Sequence, residues 1–198
     1  QTSIPLQFEP HQSFFIVFKK GEIQAPVPGK ENFPVVTNIA TLNAPWVVAF
    51  DSKWGGPEKI VFDKLEDWTT RPEEGIKYYS GIAAYSQQFD LPEVDTKNKN
   101  APIMLDLGEV KNLARVKLNG KDLGVVWTAP WQVDITGVVK PEKNMLEITV
   151  ANLWPNRLIG DEQLPDDGIK NGQWPDWLLQ GKPRTSGRFT FTTYKHYQ

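Results

Sequence analysis

Apolar and polar residues alternate along most of this chain with a period of two. That period places every second side chain on the same face of a β-strand, whereas the apolar face of a helix repeats every three to four residues. We therefore predict an all-β fold with about eight to ten short strands. The alternating segments are 45–51, 58–63, 78–91, 103–108, 113–127, 131–136, 144–152 and 186–194.

Two of these segments carry a local structural signal. In "LARVKLNGKDLGVVW", residues 113–127, Asn119-Gly120 tolerates the positive φ angles that a two-residue hairpin turn requires, so we predict a β-hairpin. In residues 78–91 the apolar face contains Gly81, which indicates a bulge or the close approach of another chain segment.

Short strands joined by turns are typical of a β-sandwich or jelly roll, and 198 residues suffice for one such domain. We predict a single domain over 1–198. Residues 1–34 would supply a first strand and a crossing loop rich in proline and glycine. Residues 161–185 would form a long loop inserted before the last strand, with one helical turn in "DWLLQG". A loop of that length generally has a function or packing of its own.

The composition excludes several classes of function. The net charge is −2, so no basic surface favours nucleic acid, and the longest apolar runs are too short for membrane insertion. The chain has no cysteine, which excludes disulfides, thiolate metal sites and a cysteine nucleophile. Because it begins with Gln1 and has no secretory signal, we expect it to be part of a longer polypeptide.

The chain carries eight tryptophans. Exposed indole rings stack on flat ligands such as sugars, whereas buried rings fill the space between two sheets, and the sequence leaves both roles open. In a sugar site built on loops, Asn, Asp and Arg side chains would bind the hydroxyl groups around the stacked ring. The candidate carbohydrate-binding residues are Trp127, Trp131, Asn152, Trp154, Asn156, Arg157, Asp161, Trp174 and Trp177.

Several of these candidates fall in "ANLWPNRLIGD", residues 151–161, directly after an alternating segment. Asn152 can turn the backbone through its side-chain amide, and Trp154 can pack the departing loop. Arg157 and Asp161 are four residues apart and could form an ion pair, with the guanidinium also holding loop carbonyls. We interpret this segment first as a staple that fixes a loop and second as a ligand contact.

The ordered series of motifs resembles a known family. The motifs are "WVVAFDSKWGGPEKIVFDKLEDWT", "IKYYSGIAAYSQQFDL", "LDLGEVKNLARVKLNGKDLGVVWTAPWQVDIT" and "NMLEITVANLWPNRLIGDEQLP". Together they resemble the carboxy-terminal region of family 106 glycoside hydrolases, the α-L-rhamnosidase-like enzymes. The later motifs also resemble the galactose-binding-like sugar-binding domain of family 2 glycoside hydrolases. The resemblance covers roughly residues 13–195.

This resemblance implies a galactose-binding-domain-like jelly roll attached to a larger catalytic polypeptide. The expected function is that of a non-catalytic accessory domain of a bacterial α-L-rhamnosidase-like glycoside hydrolase. Its expected partners are the catalytic domain of the same polypeptide and a plant-type glycan. Its expected location is secreted, periplasmic or at the cell surface. The alternatives are an independent carbohydrate-binding module and a self-contained glycoside hydrolase.

A self-contained glycosidase would need two carboxylates about 5–5.5 Å or 6.5–9.5 Å apart. Aspartates do occur near predicted strand ends, but "EDWTT" and "VDIT" are typical of turns in which Asp67 and Asp134 accept backbone N–H groups. We therefore assign no catalytic residue within the chain. The aspartates near strand ends are Asp51, Asp63, Asp67, Asp106 and Asp134.

No cofactor is assigned, with structural calcium as the one hypothesis. Domains of the galactose-binding-like type often hold such an ion through loop oxygens. The acidic loop "GDEQLPDDG" offers hard oxygen ligands, although it lacks the spacing of an EF-hand, and a solvated acidic loop is the commoner case. The candidate ligands are Asp161, Glu162, Asp166 and Asp167.

Overall fold

The computed structural model describes residues 4, 6–8, 12–18, 20, 36–92 and 102–190. The strands in these residues are β1 (Trp46–Phe50), β2 (Ile60–Phe62), β3 (Ile82–Phe89), β4 (Met104–Asp106), β5 (Leu113–Leu118), β6 (Lys121–Val126), β7 (Gln132–Asp134) and β8 (Asn144–Ala151). The α-helices are α1 (Glu74–Lys77), α2 (Pro155–Asp161) and α3 (Asp176–Leu179), and 3-10 turns cover Ser52–Trp54 and Trp68–Thr70.

Six strands form one antiparallel sheet in the order β2-β1-β3-β8-β5-β6. The longest pairing joins β3 to β8, from Ile82↔Ala151 to Phe89↔Asn144. β1 ends beside the start of β3 and the end of β8, because Phe50 pairs with Ala83 and Ala83 pairs with Val150. The sheet therefore brings three distant parts of the chain together where β1 and β8 end and β3 begins.

The face of this sheet that the alternation predicts to be apolar is the buried face. Side chains from β1, β3, β5 and β8 form the centre of the core. Complete burial of one large apolar side chain stabilises the fold by about 1.5–3 kcal/mol, so the alternation accounts for a large share of the stability. The buried residues are Trp46, Val48, Phe50, Ala83, Tyr85, Ala114, Val116, Leu118 and Leu146.

The hairpin predicted at residues 113–127 is confirmed. Its turn places Asn119 at φ 51° and Gly120 at φ 81°, both in the left-handed region. The Asn119 side chain donates to the Asn144 side chain over 2.9 Å, and Asn144 also accepts from the Lys140 N–H over 2.8 Å. Asn144 is fully buried, so these bonds satisfy a polar group that would otherwise be costly inside the core.

β4 and β7 form a second, two-stranded antiparallel sheet, in which Leu105 pairs with Val133. Val133 and Ile135 are buried in the same core cluster as the inner face of the larger sheet. The two sheets therefore enclose one hydrophobic core, which confirms the prediction of an all-β sandwich.

The first and last predicted strands are not established. Residues 12–18 form no strand among the described residues, and Phe15 is 97% exposed. The crossing loop predicted at 20–34 lies outside the described residues except for Lys20, so the assignment for 1–34 stays a prediction. Of the segment 186–194, residues 186–190 form no strand and the rest lies outside the described residues.

The helix α2 corrects the interpretation of 151–161 as a loop. Pro155 occupies its first turn, where a missing N–H costs nothing, and Gly160 lets the helix approach Tyr78. A Cβ on Gly160 would lie 2.5 Å from the Tyr78 Cβ, so the close contact requires glycine. The single helical turn predicted in "DWLLQG" is confirmed as α3. The longest helix of the described residues, α2, has 7 residues, whereas a membrane-spanning helix needs about 20 apolar ones, so none of these helices could span a bilayer.

Candidate functional site

The candidate residues of 151–161 lie at the end of the large sheet where β8 terminates. Asn152 follows β8, and its side chain crosses to the residues before β3. Its Oδ1 accepts from the Gly81 N–H over 2.8 Å, and its Nδ2 donates to the Tyr79 carbonyl over 2.9 Å. Gly81 has φ 150° and lies against the ring of Tyr79, two residues earlier in the same segment. Asn152 therefore fixes the direction in which the chain leaves the sheet.

Arg157, on α2, joins three segments of the chain. Its backbone N–H donates to the Ser80 hydroxyl over 3.0 Å, and its Nη2 donates to the Trp54 carbonyl. The guanidinium carbon lies 4.2 Å from the centre of the Phe189 ring, in a cation–π contact. Arg157 is only 7% exposed, and burial lowers the pKa of its guanidinium. This side chain therefore acts as the staple predicted for the segment.

Asp161, on the same helix, binds the last described residues of the chain. It is 1% exposed, and its Oδ2 accepts from the Phe189 N–H over 3.0 Å and from both the N–H and the hydroxyl of Thr190. Arg157 and Asp161, both within the described residues, form no salt bridge, so the direct pair proposed from their spacing is wrong. The two side chains instead hold the same distant segment, and the Asp161 charge partly offsets the effect of burial on the pKa of Arg157.

The long loop of residues 161–185 has its own packing around Asp167. The Asp167 carboxylate accepts from the Arg184 Nε and Nη2, over 2.5 and 2.6 Å, and from the Ser186 hydroxyl. These bonds, chiefly those from Arg184, lower the pKa of Asp167 to about 2. Trp177 donates its indole N–H to the Asp167 carbonyl over 2.8 Å, and Arg184 lies over its ring at 4.8 Å. Trp177 therefore anchors the loop.

Two tryptophans form a cleft at the end of the sheet where β1 and β8 terminate. Trp54 and Trp154 meet edge to face, with ring centroids 5.9 Å apart and an interplanar angle of 82°. They are 40% and 53% exposed. Both rings line a cavity of about 280 Å³, which we call the Trp54–Trp154 cleft. Its other lining residues include Asp51, Tyr79, Ile82, Asn152 and Leu153.

Trp54 is the tryptophan of this cleft that the sequence pattern does not single out. It lies about a hundred residues from Trp154 in the chain, and only the sheet order brings the two together. The local signal was Asp51, whose Oδ1 accepts from the Lys53 N–H over 2.9 Å and caps the 3-10 turn that carries Trp54. A short capped turn ending in glycine indicates that its residues are fixed in place.

The other candidate tryptophans do not line this cleft. Trp127 is 71% exposed at the end of β6, and Trp174 is 51% exposed on the long loop. Trp131 is half-buried after the turn that follows β6. Asn156 lines a separate, wider groove of about 650 Å³, whose wall includes Trp68. The structure therefore divides the candidates among the cleft, the groove, the staple and the loop.

The four candidate calcium ligands have separate roles. Asp161 and Asp167 accept the hydrogen bonds described above. Glu162 lies 3.5 Å from the Arg188 guanidinium, and Asp166 accepts from the Gly168 N–H over 3.0 Å. Within the described part of the chain, no three His, Cys, Asp or Glu side chains gather into a metal site. The structure thus does not bring these carboxylates together around an ion.

Asp67 and Asp134 have the turn roles that the sequence predicts for them. Asp67 accepts from the Thr69 N–H over 2.8 Å, and Asp134 accepts from the Thr136 N–H over 2.8 Å. The Thr69 backbone lowers the pKa of Asp67, and the Thr136 side chain and backbone lower that of Asp134. A general acid in a glycosidase requires a raised pKa, so these two carboxyls are unsuited to that role.

The comparisons with known proteins agree with this architecture. Residues 73–186 match the family described as "Glycosyl hydrolase 2 galactose-binding domain-like". A putative beta-glucuronidase of Formosa agariphila is 41% identical over 200 residues, which cover 92% of this chain and 17% of that protein. The rhamnosidase structure from Novosphingobium sp. PP1Y is 37% identical with a TM-score of 0.60, covering 80% of this chain and 15% of that one.

A β-glucuronidase structure from Ruminococcus gnavus is 22% identical, with a TM-score of 0.48, over 61% of this chain and 23% of that one. The chain thus spans less than a quarter of each of these relatives. The family match covers more than half of the chain, and the sandwich has the expected β architecture. The chain therefore belongs to the family of glycosyl hydrolase 2 galactose-binding-like domains.

Proposed function

We propose that the chain is a non-catalytic β-sandwich domain of a larger bacterial glycoside hydrolase. The observation that carries this proposal is the coverage: strong similarity extends over most of the chain but over only 17% and 15% of two relatives named as glycoside hydrolases. A region of that size supports the catalytic part of the polypeptide rather than containing it. We propose further that 1–198 acts as one domain and that the polypeptide is secreted, periplasmic or at the cell surface.

The larger enzyme is proposed to be α-L-rhamnosidase-like and to belong to family 106. Two observations support this choice: the motif series of 46–165 and the 37% identity to a solved rhamnosidase. The name of the 41% identical relative points instead to a β-glucuronide substrate. These substrates differ in charge, since a glucuronide carries a carboxylate and a rhamnoside does not.

A substrate panel tests the proposal on the whole polypeptide that carries this chain. We expect hydrolysis of an aryl α-L-rhamnoside and little hydrolysis of an aryl β-D-glucuronide. Removal of 36–190 should lower the yield of folded enzyme, because the sandwich would support the catalytic part. Selective hydrolysis of the glucuronide would contradict the rhamnosidase assignment, and absence of glycosidase activity would contradict the proposal as a whole.

An independent carbohydrate-binding module is a second candidate. It is favoured by the partial exposure of Trp54 and Trp154 in one cleft, since rings of this kind stack on sugars. A module of this type would bind glycan with the same affinity when separated from the rest of the polypeptide. An accessory domain that shares its glycan with the catalytic part would bind more weakly alone.

A further inference from the structure

We propose that the Trp54–Trp154 cleft binds a neutral 6-deoxyhexopyranose unit of a glycan, in preference to a uronic acid. This inference rests on the proposed function, since it names the sugar that the accessory domain would contact.

The two rings offer a floor and a wall to a sugar. Because they lie at 82° to each other, a pyranose can place its C–H face on one ring and its edge against the other. Trp68 and Trp177 donate their indole N–H groups to Tyr85 and to the Asp167 carbonyl. Among the described residues, no group accepts a hydrogen bond from the indole N–H of Trp54 or of Trp154.

The cleft is organised before a ligand arrives. Arg157 holds the Trp54 carbonyl, and the Phe189 ring packs against the Trp54 ring at 6.0 Å. On the Trp154 side of the cleft, the two hydrogen bonds of Asn152 fix the backbone that leads into Trp154. Binding to rings that are already fixed costs less side-chain entropy than binding to mobile ones.

The lining favours a methyl group over a carboxylate. Ile82 and Leu153 line the cleft and are 58% and 59% exposed, so they can pack against the methyl group that a 6-deoxyhexose carries at C5. Among the described residues, Asp51 is the charged side chain that lines the cleft, and it is exposed. Its carboxylate accepts hydrogen bonds from hydroxyls, but a uronic acid would place a second negative charge beside it.

The test is a binding titration of the full chain with methyl α-L-rhamnopyranoside and, separately, methyl β-D-glucuronide. Calorimetry and saturation-transfer NMR report the affinity and the bound protons. A single small sugar should bind with a Kd on the order of 1 mM, with the strongest saturation at its methyl group. The glucuronide should bind at least about tenfold more weakly, and Asp51→Asn should narrow that difference.

Four tryptophan variants locate the site. Trp154→Ala and Trp54→Ala should each weaken rhamnoside binding by about tenfold or more. Trp154→Phe keeps an aromatic face and should retain most of the affinity. Trp127→Ala, at an exposed tryptophan outside the cleft, is the matched control and should leave the affinity unchanged. Near-ultraviolet circular dichroism confirms that each variant is folded.

The proposal is overturned if the rhamnoside shows no binding at roughly tenfold above the expected Kd. It is equally overturned if Trp154→Ala binds as the parent chain does, or if the glucuronide binds as tightly as the rhamnoside. Failure here leaves the accessory-domain proposal standing, because the substrate panel on the whole polypeptide is independent of this cleft.

Discussion

Neutralising Asp167 should loosen the long loop by a predictable amount. The carboxylate is 16% exposed and its partner Arg184 is 17% exposed, so solvent screens their interaction only weakly. The fall of the Asp167 pKa from 3.8 to about 2 corresponds to about 2 kcal/mol, taken at about 1.36 kcal/mol per pKa unit. We expect Asp167→Asn to lower the free energy of unfolding by about 2 kcal/mol near neutral pH and the Tm by roughly 4–8 °C.

The effect should depend on pH with a defined sign. Because the folded-state pKa is depressed, the stabilisation is complete well above 3.8 and is lost as the pH falls towards 2. Urea unfolding followed by tryptophan fluorescence at pH 6 and at pH 3 measures it, and the difference between parent and variant should fall by about half at pH 3.

Asp166→Asn is the matched control for this variant. Asp166 is the neighbouring carboxylate, but it accepts a single backbone hydrogen bond from Gly168 and has no ion pair within the described residues. Its replacement should change stability by less than about 0.5 kcal/mol. The reasoning is refuted if Asp167→Asn is equally neutral at pH 6, or if its effect is the same at both pH values.

Two further substitutions test the core and the site edge. Asn144→Ala should cost about 3 kcal/mol in urea unfolding, because it removes three buried hydrogen bonds, whereas Met145→Ala on the outer face should cost much less. Gly160→Ala should destabilise by about 2 kcal/mol despite alanine's better helix propensity, because the new Cβ would meet Tyr78 at 2.5 Å. Ile159→Ala, at an exposed position of the same helix, is its control, and equal Tm values for the two would contradict the steric argument.

The strands could be predicted because burial on one face leaves a period of two in the sequence. β1, β8 and the hairpin of β5 and β6 lie where the alternation places them, within the usual uncertainty at the ends. β3 begins at Ile82 rather than at residue 78, because Gly81 turns the chain to meet Asn152. The pattern gives no information on the order of strands in the sheet, which only the structure supplies.

The site could be predicted only in part, because the sequence pattern does not give the order of the strands in the sheet. Asn152, Trp154 and Arg157 are close in the chain. Their side-chain types alone therefore predict that they turn, pack and hold the segment that follows β8. Trp54 joins them through the pairing of β1, β3 and β8, which no local pattern encodes. The interpretation of 155–161 as a loop was wrong because proline and glycine usually interrupt helices, whereas here Pro155 starts the helix and Gly160 lets it pack closely.

The most direct test of the central claim compares the isolated 198-residue chain with the whole polypeptide that carries it. Both would be assayed at equal molar concentration with an aryl α-L-rhamnoside. The proposal of a non-catalytic domain predicts turnover by the whole polypeptide and none by the folded chain. Turnover by the chain alone, abolished by substitution of one of its own carboxylates, would contradict that claim and make the sandwich itself the enzyme.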